Sequence, residues 1–327
     1  MLKALITTVP FGDKNHLPFE LLENANIDYL VNPLNKKLTE DELVEMITDF
    51  DVIIAGTEKI SEKVMEKATN LKMISRVGIG LDSVDLLEAE NRGILVSYTP
   101  DAPAPAVSEL TVGMMLTLLR SVHVSNSQMH SGDWYRFFGR RLSEVVIGII
   151  GIGRIGQGVV EHLQGFGSPK ILVNDLIIED DIVDKFDIEL VEKEEIYKKS
   201  DVISLHLPLT GQTKNMIGKE QLLLMKKDAV IINTSRGGII NEDDLYKVMQ
   251  SGHLSGAAID VFDTEPYNGP LNEIERCLLT SHMGSMSVDC RTRMEIEATE
   301  EVVRFLTGET LKSKVPEDEY EVQRQGL

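Results

Sequence analysis

Short runs of branched aliphatic residues alternate with amphipathic segments along the whole chain. Runs such as ALIT, DYLV, Val52–Ala55, Met73–Arg76 and Ile94–Ser97 predict short buried strands, because such runs are typical of parallel sheets. Between the second and third runs, TEDELVEMIT predicts a helix that begins with a capping box of Thr39 and Glu42. Strands separated by single helices indicate βαβ units and a parallel sheet.

A proline-rich stretch interrupts this pattern. Residues Thr99–Pro105 read TPDAPAP and predict a hinge, after which a long apolar helix of about 25 residues and a second βαβ series, up to about Met283, are expected. The segment 287–307 carries an apolar stripe and predicts an amphipathic helix that packs either on the second series or back on the first. The tail PEDEYEVQRQGL is predicted to be solvated and loose.

Length and composition favour an aliphatic α/β protein of two domains. The chain has 327 residues, of which 42% are hydrophobic and only 5% aromatic. The formal net charge of -20 argues against nucleic acid or a membrane surface as a partner, because both are anionic. Arginines in glycine-rich loops are therefore the candidates for binding a small anionic substrate.

The cysteines and the N-terminus predict a cytoplasmic protein. Cys277 and Cys290 form no C-x-x-C pair, so neither a disulfide framework nor a metal site is expected. The apolar run near the N-terminus is too short for a signal peptide and predicts a first strand. No apolar window approaches the roughly 20 residues needed to span a bilayer.

The stretch Ile147–Gly156 reads IGIIGIGRIG and contains the pattern G-x-G-x-x-G. Such a pattern also occurs in strand–helix turns that bind nothing, so its context decides. Here it follows an apolar strand and opens a predicted helix over Arg154–Phe166. In a dinucleotide site Gly151 would make the turn, Gly153 would let the backbone approach a pyrophosphate, and Gly156 would allow close helix packing.

Further strand ends agree with a dinucleotide groove. The next strand ends in Asp175, whose carboxylate would accept hydrogen bonds from the adenosine ribose and repel a 2′-phosphate, which favours NAD over NADP. The segments HLPLTGQT and NTSRGGII follow two later strands with small hydroxyl residues and glycines. They lie at the sheet edge along which a bound dinucleotide would pass.

Seven blocks of the chain resemble the D-isomer-specific 2-hydroxyacid dehydrogenases. They are SRVGIGLDSVDL, ELTVGMMLTLLR, GIIGIGRIG, HLPLT, INTSRGGIINEDDL, GAAIDVFDTEP and TSHMGS. The resemblance implies an α/β fold in which a Rossmann NAD-binding domain is inserted in a flavodoxin-like α/β substrate domain. On this basis residues 1–102 form the first part of the substrate domain, 103–286 the NAD domain, and 287–327 a segment that returns to the substrate domain.

The resemblance also implies a catalytic trio of Arg236, Glu265 and His282. A neutral imidazole suits the removal of a hydroxyl proton, because its pKa lies near the working pH. Glu265 would stabilise the imidazolium of His282 and fix its tautomer. Arg236 would bind the carboxylate and carbonyl oxygen of the substrate.

Other site residues carry over from the same blocks. Four residues that resemble the family's substrate-carboxylate loop are Arg76, Val77, Gly78 and Ile79. The residues expected to line the NAD cofactor are Gly151, Gly153, Arg154, Ile155, Gly156, Asp175, His206, Pro208, Thr213, Thr234, Ser235, Asp260 and Gly284. Among these, Asp260 resembles the residue that contacts the nicotinamide carboxamide.

The expected reaction is hydride transfer between NAD and a D-2-hydroxy acid and its 2-keto acid. Phosphoglycerate is one candidate, and the chain resembles a short phosphoglycerate dehydrogenase without the regulatory domain. Relatives specific for phosphoglycerate often carry an arginine after the third strand, where this chain reads Ala55-Gly56-Thr57, with Lys59 as the nearest cation. This departure weakens phosphoglycerate as the substrate.

The sequence leaves two alternative functions open, and the resemblance predicts a dimer. A non-catalytic NAD-sensing corepressor and a phosphite dehydrogenase would both retain the catalytic trio. A homodimer is implied by the resemblance, with Leu110–Leu119 either at that interface or packed inside one chain. In GDWYRFFGRR, Trp134 is expected to be a core residue, and Arg140 or Arg141 is a candidate to reach a partner subunit.

Overall fold

The computed structural model describes residues 2–176 and 180–324. Its chain divides into two compact units. Unit 1 consists of Met1–Pro103 together with Met286–Leu327, and unit 2 consists of Ala104–Ser285. None of the helices in this described part of the chain combines the length and apolar character needed to cross a membrane.

The regular elements follow one another as strand–helix repeats. The strands are β1 Lys3–Ile6, β2 Asp28–Val31, β3 Val52–Ala55, β4 Met73–Arg76, β5 Leu95–Ser97, β6 Val146–Ile150, β7 Lys170–Asn174, β8 Glu189–Leu190, β9 Val202–Leu205, β10 Val230–Asn233, β11 Gly256–Ile259 and β12 Cys277–Leu279. The α-helices are α1 Leu17–Asn24, α2 Glu40–Met46, α3 Glu62–Lys67, α4 Leu86–Asn91, α5 Ala104–Leu119, α6 Val122–His130, α7 Arg154–Gln164, α8 Asp180–Phe186, α9 Lys193–Lys199, α10 Lys219–Leu224, α11 Glu242–Gln250, α12 Val288–Thr307 and α13 Glu317–Arg324.

Unit 1 is built on a five-stranded parallel sheet in the order β2-β1-β3-β4-β5. This is the flavodoxin-like order, in which the direction of winding reverses between β1 and β3. Every residue of β3 is buried, as its continuous aliphatic run predicts, and every residue of β4 is buried as well. The capping box predicted at the start of α2 is confirmed, because the Thr39 hydroxyl accepts from the Glu42 amide and the Glu42 carboxylate from the Thr39 amide.

Helix α12 packs on this sheet, against α1, β3 and β4. Of the two packings that the sequence left open, the structure therefore shows the one on the first βαβ series. Ser287 caps its start, and Gly308 ends it in the left-handed conformation with φ 76°. Its buried stripe contains Met294 and Ala298. The amphipathic pattern thus covers one face of a parallel sheet, as helices of doubly wound folds do.

The prediction of a loose tail is wrong for the described residues up to Arg324. The Val315 amide donates to the Val96 carbonyl at 3.1 Å, and α13 follows with Tyr320 buried. The Gln323 side chain accepts from the Leu86 amide and donates to the Val84 carbonyl, both at 2.9 Å. Burial of an aromatic ring and these hydrogen bonds hold the segment on unit 1. The last part of the predicted tail, 325–327, lies outside the described residues.

Unit 2 is built on a seven-stranded parallel sheet in the order β12-β11-β10-β9-β6-β7-β8. Winding reverses between β6 and β9, so the Rossmann arrangement places a ligand crevice at the carboxyl ends of these strands. Aliphatic clusters cover both faces of the sheet. Helix α5 packs on α7, β10 and β11 within the unit, which accounts for its buried apolar residues.

Three details of unit 2 differ from the sequence predictions. The long helix begins at Ala104, within the predicted hinge, and is interrupted at Ser121, which is left-handed with φ 49°. Strand β8 was not predicted, because two residues are too few to show a pattern. Trp134 is 80% exposed and is not a core residue. The segment 133–140 around it has no regular structure, and Tyr135 and Phe138 are exposed as well.

Candidate active site

The glycines of the β6–α7 loop fall into two classes. A Cβ on Gly151, whose φ is +99°, would overlap the His206 carbonyl oxygen, and a Cβ on Gly156 would overlap the Gly151 carbonyl oxygen. Packing within unit 2 therefore requires both glycines. A Cβ on Gly153 would meet nothing within 4 Å. Packing within unit 2 therefore does not require a glycine at this position. A pyrophosphate bound close to the backbone would require one.

Helix α7 begins directly after this open position. Its N-cap is Gly153, which has no side chain to cap the amides of the first helical turn. Helix N-termini of this kind bind anions through backbone N–H groups and the helix dipole. The residue that follows β7 holds this loop in place, because the Ile152 amide donates to Asp175 Oδ2 at 2.6 Å. Arg154 is exposed on the first turn, and Ile155 follows half-buried.

The loop after β9 places His206 against Gly151. Its Nε2 lies 2.9 Å from Ser204 Oγ, and its buried Nδ1 has no hydrogen-bond partner in the described part of the chain. Burial lowers the pKa of His206 to about 3, so the imidazole is neutral. Further along, the Thr213 hydroxyl donates to the Pro208 carbonyl at 2.7 Å and closes the loop.

The loop after β10 is organised by Asn233, a residue for which the sequence suggested no role. Asn233 Oδ1 accepts from the amide and the hydroxyl of Ser235 at 3.1 and 2.8 Å. Its Nδ2 donates to the Arg236 carbonyl at 2.8 Å. An asparagine at the end of a strand is a known signal for such a turn. Thr234 is buried and lies 2.8 Å from the Thr111 hydroxyl.

Arg236 is held close to the loop that follows β11. Its Nη1 donates to the Ser235 carbonyl at 2.7 Å. A Cβ on Gly237 would overlap the carbonyl group of Phe262, so only glycine allows the two loops to touch here. The Phe262 amide in turn donates to Glu265 Oε1 at 3.2 Å. One continuous set of contacts therefore links the Arg236 loop to Glu265.

His282 and Glu265 form a direct pair. Nδ1 of His282 lies 3.0 Å from both carboxylate oxygens of Glu265. With the carboxylate accepting from Nδ1–H, the ring presents Nε2 as the atom that exchanges a proton. This is the geometry of a general base oriented by an acid.

Asp260 holds the segment that carries His282. Its buried carboxylate accepts from the Thr280 hydroxyl at 2.5 Å and from the amides of Met283 and Gly284, both at 2.9 Å. Its backbone carbonyl accepts from the His282 amide at 2.8 Å. His282 has φ +50°, which is unusual for a non-glycine residue and is maintained by its surroundings. The expected contact of Asp260 with a carboxamide is thus accompanied by a structural role within unit 2.

Further carboxylates surround this pair. Glu242, at the start of α11, accepts from the Asp263 amide at 2.7 Å. Burial raises the pKa of Glu242, and the charges of Asp263, Asp243 and Glu265 raise it further.

The four residues expected to bind the substrate carboxylate lie in unit 1, at the end of β4. Arg76 is buried, and its Nη1 donates to the Val77 carbonyl at 2.5 Å. Gly78 has φ +144°, and its amide donates to the Thr99 hydroxyl at 2.8 Å. A bound carboxylate would share this amide with Thr99. Ile79 follows and packs on the unit 1 core.

Comparison with known proteins identifies the family. Residues 112–284 match the family model described as "D-isomer specific 2-hydroxyacid dehydrogenase, NAD binding domain". The chain is 38% identical over 85% of its length to a D-3-phosphoglycerate dehydrogenase of Methanocaldococcus jannaschii, of which it covers 54%. It is 36% identical over 83% of its length to a hydroxypyruvate reductase of Thermotoga maritima, of which it covers 90%.

The fold agrees with a solved relative. A D-lactate dehydrogenase from Aquifex aeolicus, crystallised with NAD and lactic acid, superposes with a TM-score of 0.84. The two are 27% identical, and the match covers 95% of this chain and 98% of the relative. The sequence resemblance is therefore confirmed, and NAD is the cofactor that the residues of unit 2 fit. The chain belongs to the D-isomer-specific 2-hydroxyacid dehydrogenase family and is an NAD-dependent oxidoreductase.

Proposed function

We propose that the chain reduces a small 2-keto acid to the D-2-hydroxy acid with NADH, and catalyses the reverse oxidation, with His282 as the acid and base. The observation that supports this proposal is the pair of His282 and Glu265, whose 3.0 Å contacts leave Nε2 to face a reacting oxygen. The packing of the Arg236 loop against the Phe262 loop supports a role for Arg236 beside this pair.

The protein side of the reaction follows from these groups. NAD, when bound, would supply or accept the hydride. During reduction, protonated His282 gives the proton on Nε2 to the carbonyl oxygen, and Glu265 stabilises the imidazolium until that transfer. Arg236 donates to the carboxylate and carbonyl oxygen, which polarises the carbonyl and orients the substrate. One hydride and one proton convert the keto acid to the hydroxy acid.

NAD would be held by the edge of unit 2. The amides at the start of α7 would bind the pyrophosphate, since Gly153 leaves open space there. Asp175 would accept from the adenosine ribose, and the loops of Pro208 and Thr234 would line the groove. In unit 1, Arg76 and the amides of Gly78 and Ile79 would bind the carboxylate of the substrate.

The substrate proposal is limited to small acids of one class. The names of the relatives point to hydroxypyruvate and to 3-phosphoglycerate. The test is NADH oxidation by the purified protein with glyoxylate, pyruvate, hydroxypyruvate and phosphohydroxypyruvate. Turnover of at least one acid that His282→Ala abolishes while NADH still binds supports the proposal. Binding of NADH without turnover of any acid would favour an NAD sensor, and NAD reduction by phosphite would favour a phosphite dehydrogenase.

We also propose that the protein is a homodimer. The support is a group of aromatic side chains on unit 2, the segment 134–138, in which Trp134 is 80% and Phe138 105% exposed. Such a cluster on a highly charged chain is typical of an interface. Arg140 and Arg141 pair with Asp201 and Glu144 of the same unit. Sedimentation velocity is expected to give twice the mass of one chain, and Phe138→Ser to give more monomer. A wild-type monomer at micromolar concentration would contradict the dimer.

A further inference from the structure

The carboxyl edge of the unit 1 sheet contains a buried carboxylate, Glu58. The residue is 2% exposed. Its Oε1 accepts from the Gly56 amide at 3.0 Å and from the Thr7 hydroxyl. No motif in the sequence points to this residue.

Glu58 lies at the position where this fold binds ligands. Thr7 follows β1 and Glu58 follows β3, and winding of the sheet reverses between these two strands. Ligands of open α/β sheets bind at the carboxyl ends of strands beside such a reversal. The proposed substrate loop is adjacent, because the Val77 amide donates to the Ala55 carbonyl at 2.9 Å.

The cations near this edge have partners within unit 1. Lys59 is exposed, and its Nζ lies 3.8 Å from Glu40 Oε1. Arg291 of α12 pairs with Glu295 at 2.6 Å and donates to the Thr8 hydroxyl at 2.8 Å. Arg76 donates to the substrate loop itself. At this edge Arg76 can therefore bind one carboxylate of a substrate. A second anionic group would meet the negative charge of Glu58.

We propose that Glu58 determines specificity by excluding 2-keto acids that carry a second anionic group, such as a phosphate ester. This inference rests on the proposed function and narrows its substrate to acids with a small neutral substituent: hydrogen, methyl or hydroxymethyl. The physical reason is repulsion between like charges beside a buried carboxylate, where it is stronger than in water. A neutral hydroxymethyl group meets no such repulsion and can donate a hydrogen bond to Glu58.

The test compares hydroxypyruvate with phosphohydroxypyruvate, which differ by one phosphate group. Wild-type kcat/KM is expected to be on the order of 100-fold higher for hydroxypyruvate. Glu58→Gln keeps an oxygen for Gly56 and Thr7 but removes the charge. It should raise the ratio of kcat/KM for phosphohydroxypyruvate to that for hydroxypyruvate about tenfold. Asp51→Asn is the matched control, because Asp51 precedes the same strand at the opposite end of the sheet. It should leave the ratio unchanged.

The outcomes separate this inference from the proposed function. A wild-type protein that prefers phosphohydroxypyruvate, or a ratio that Glu58→Gln leaves unchanged, would overturn the role of Glu58 and leave the proposed function intact. Absence of turnover with every keto acid would overturn both. The wild-type preference is measured without any substitution, so the inference stays testable even if Glu58→Gln fails to fold.

Discussion

Two parallel sheets of one chain use the same kind of edge in different ways. In unit 2, the loop after β6 runs at once into α7 and leaves open space at Gly153. In unit 1, the loop after β1 is longer, and buried side chains fill its edge: Thr7, Thr8 and Glu58. The topology supplies a crevice in both sheets, whereas the residues in it decide what binds.

Unit 2 is expected to bind its ligand through backbone amides, whereas unit 1 is expected to select its ligand through side chains. The unit 2 loop offers helix amides to an anion and contributes little side-chain chemistry there. The unit 1 edge carries a fixed carboxylate and engaged cations, which discriminate among small acids. A dinucleotide is therefore expected on unit 2, and substrate selectivity is expected to depend on unit 1.

The largest expected effect comes from His282→Ala. If proton transfer is concentrated on the unit 2 edge, kcat should fall by roughly 10² to 10⁴-fold, the usual contribution of a general acid or base. The dissociation constant for NADH, measured by fluorescence titration, should stay within about twofold of the wild-type value, because His282 is not part of the glycine loop. A kcat within about tenfold of the wild-type value would assign the proton to another group.

Asp260→Asn should have the next largest effect. An amide has one acceptor oxygen, so it cannot accept from Thr280 Oγ1 and from both the Met283 and Gly284 amides as the carboxylate does. The segment that carries His282 then loses its support, and kcat at saturating NADH should fall by roughly 10 to 100-fold.

Thr280→Val is the matched control, since it removes only the hydroxyl contact and should cost less. A kcat equal to the wild-type value in Asp260→Asn would show that this aspartate does not position the histidine.

Glycine substitutions sharpen the comparison of the two edges at a smaller scale. Gly153→Ala places a methyl group in open space, so the melting temperature should not fall. The NADH dissociation constant should rise by about tenfold, because the methyl group keeps the pyrophosphate away from the backbone. Gly113→Ala in α5 also meets nothing within 4 Å and serves as the control that leaves NADH affinity unchanged. Equal NADH affinities for the two variants would contradict the assignment of the loop.

The smallest effect concerns pH and His206. Its folded pKa of about 3 lies below the unfolded value of about 6.5, so the unfolded chain binds the extra proton as pH falls through this window. This residue should therefore cost on the order of 1 kcal/mol of stability between pH 7.5 and 5.5. Urea unfolding at both pH values should show a smaller loss for His206→Gln. Identical pH dependence in the two proteins would exclude this residue as the cause.

Local patterns made much of the fold predictable. The aliphatic runs and glycine spacing identify the strand, turn and helix around Gly151, because the requirements there are local. The break at Ser121 carries no glycine or proline to signal it. The ordered tail depends on Tyr320, which packs in the unit 1 core, and on hydrogen bonds of Val315 and Gln323 to distant parts of unit 1.

The residue types of the site could be predicted from the sequence, but the hydrogen bonds that hold these residues in place could not. Arg236, Glu265 and His282 stand in recognisable blocks. The role of Asn233 comes from hydrogen bonds within its own turn. The roles of Asp260 and Glu58 come from hydrogen bonds between segments, and those to Gly284 and Thr7 join residues more than 20 positions apart. Such contacts leave no periodic signal in a single sequence.

Hydrogen exchange with and without NADH tests the contrast between the two edges most directly. NADH is expected to slow exchange of the amides at 152–157, where α7 begins, together with the loops after β9 and β10. Gly153→Ala should weaken this protection at a fixed NADH concentration, and Gly113→Ala should not. Protection of the loop after β1 with unchanged exchange at 152–157 would contradict the assignment of the cofactor to unit 2.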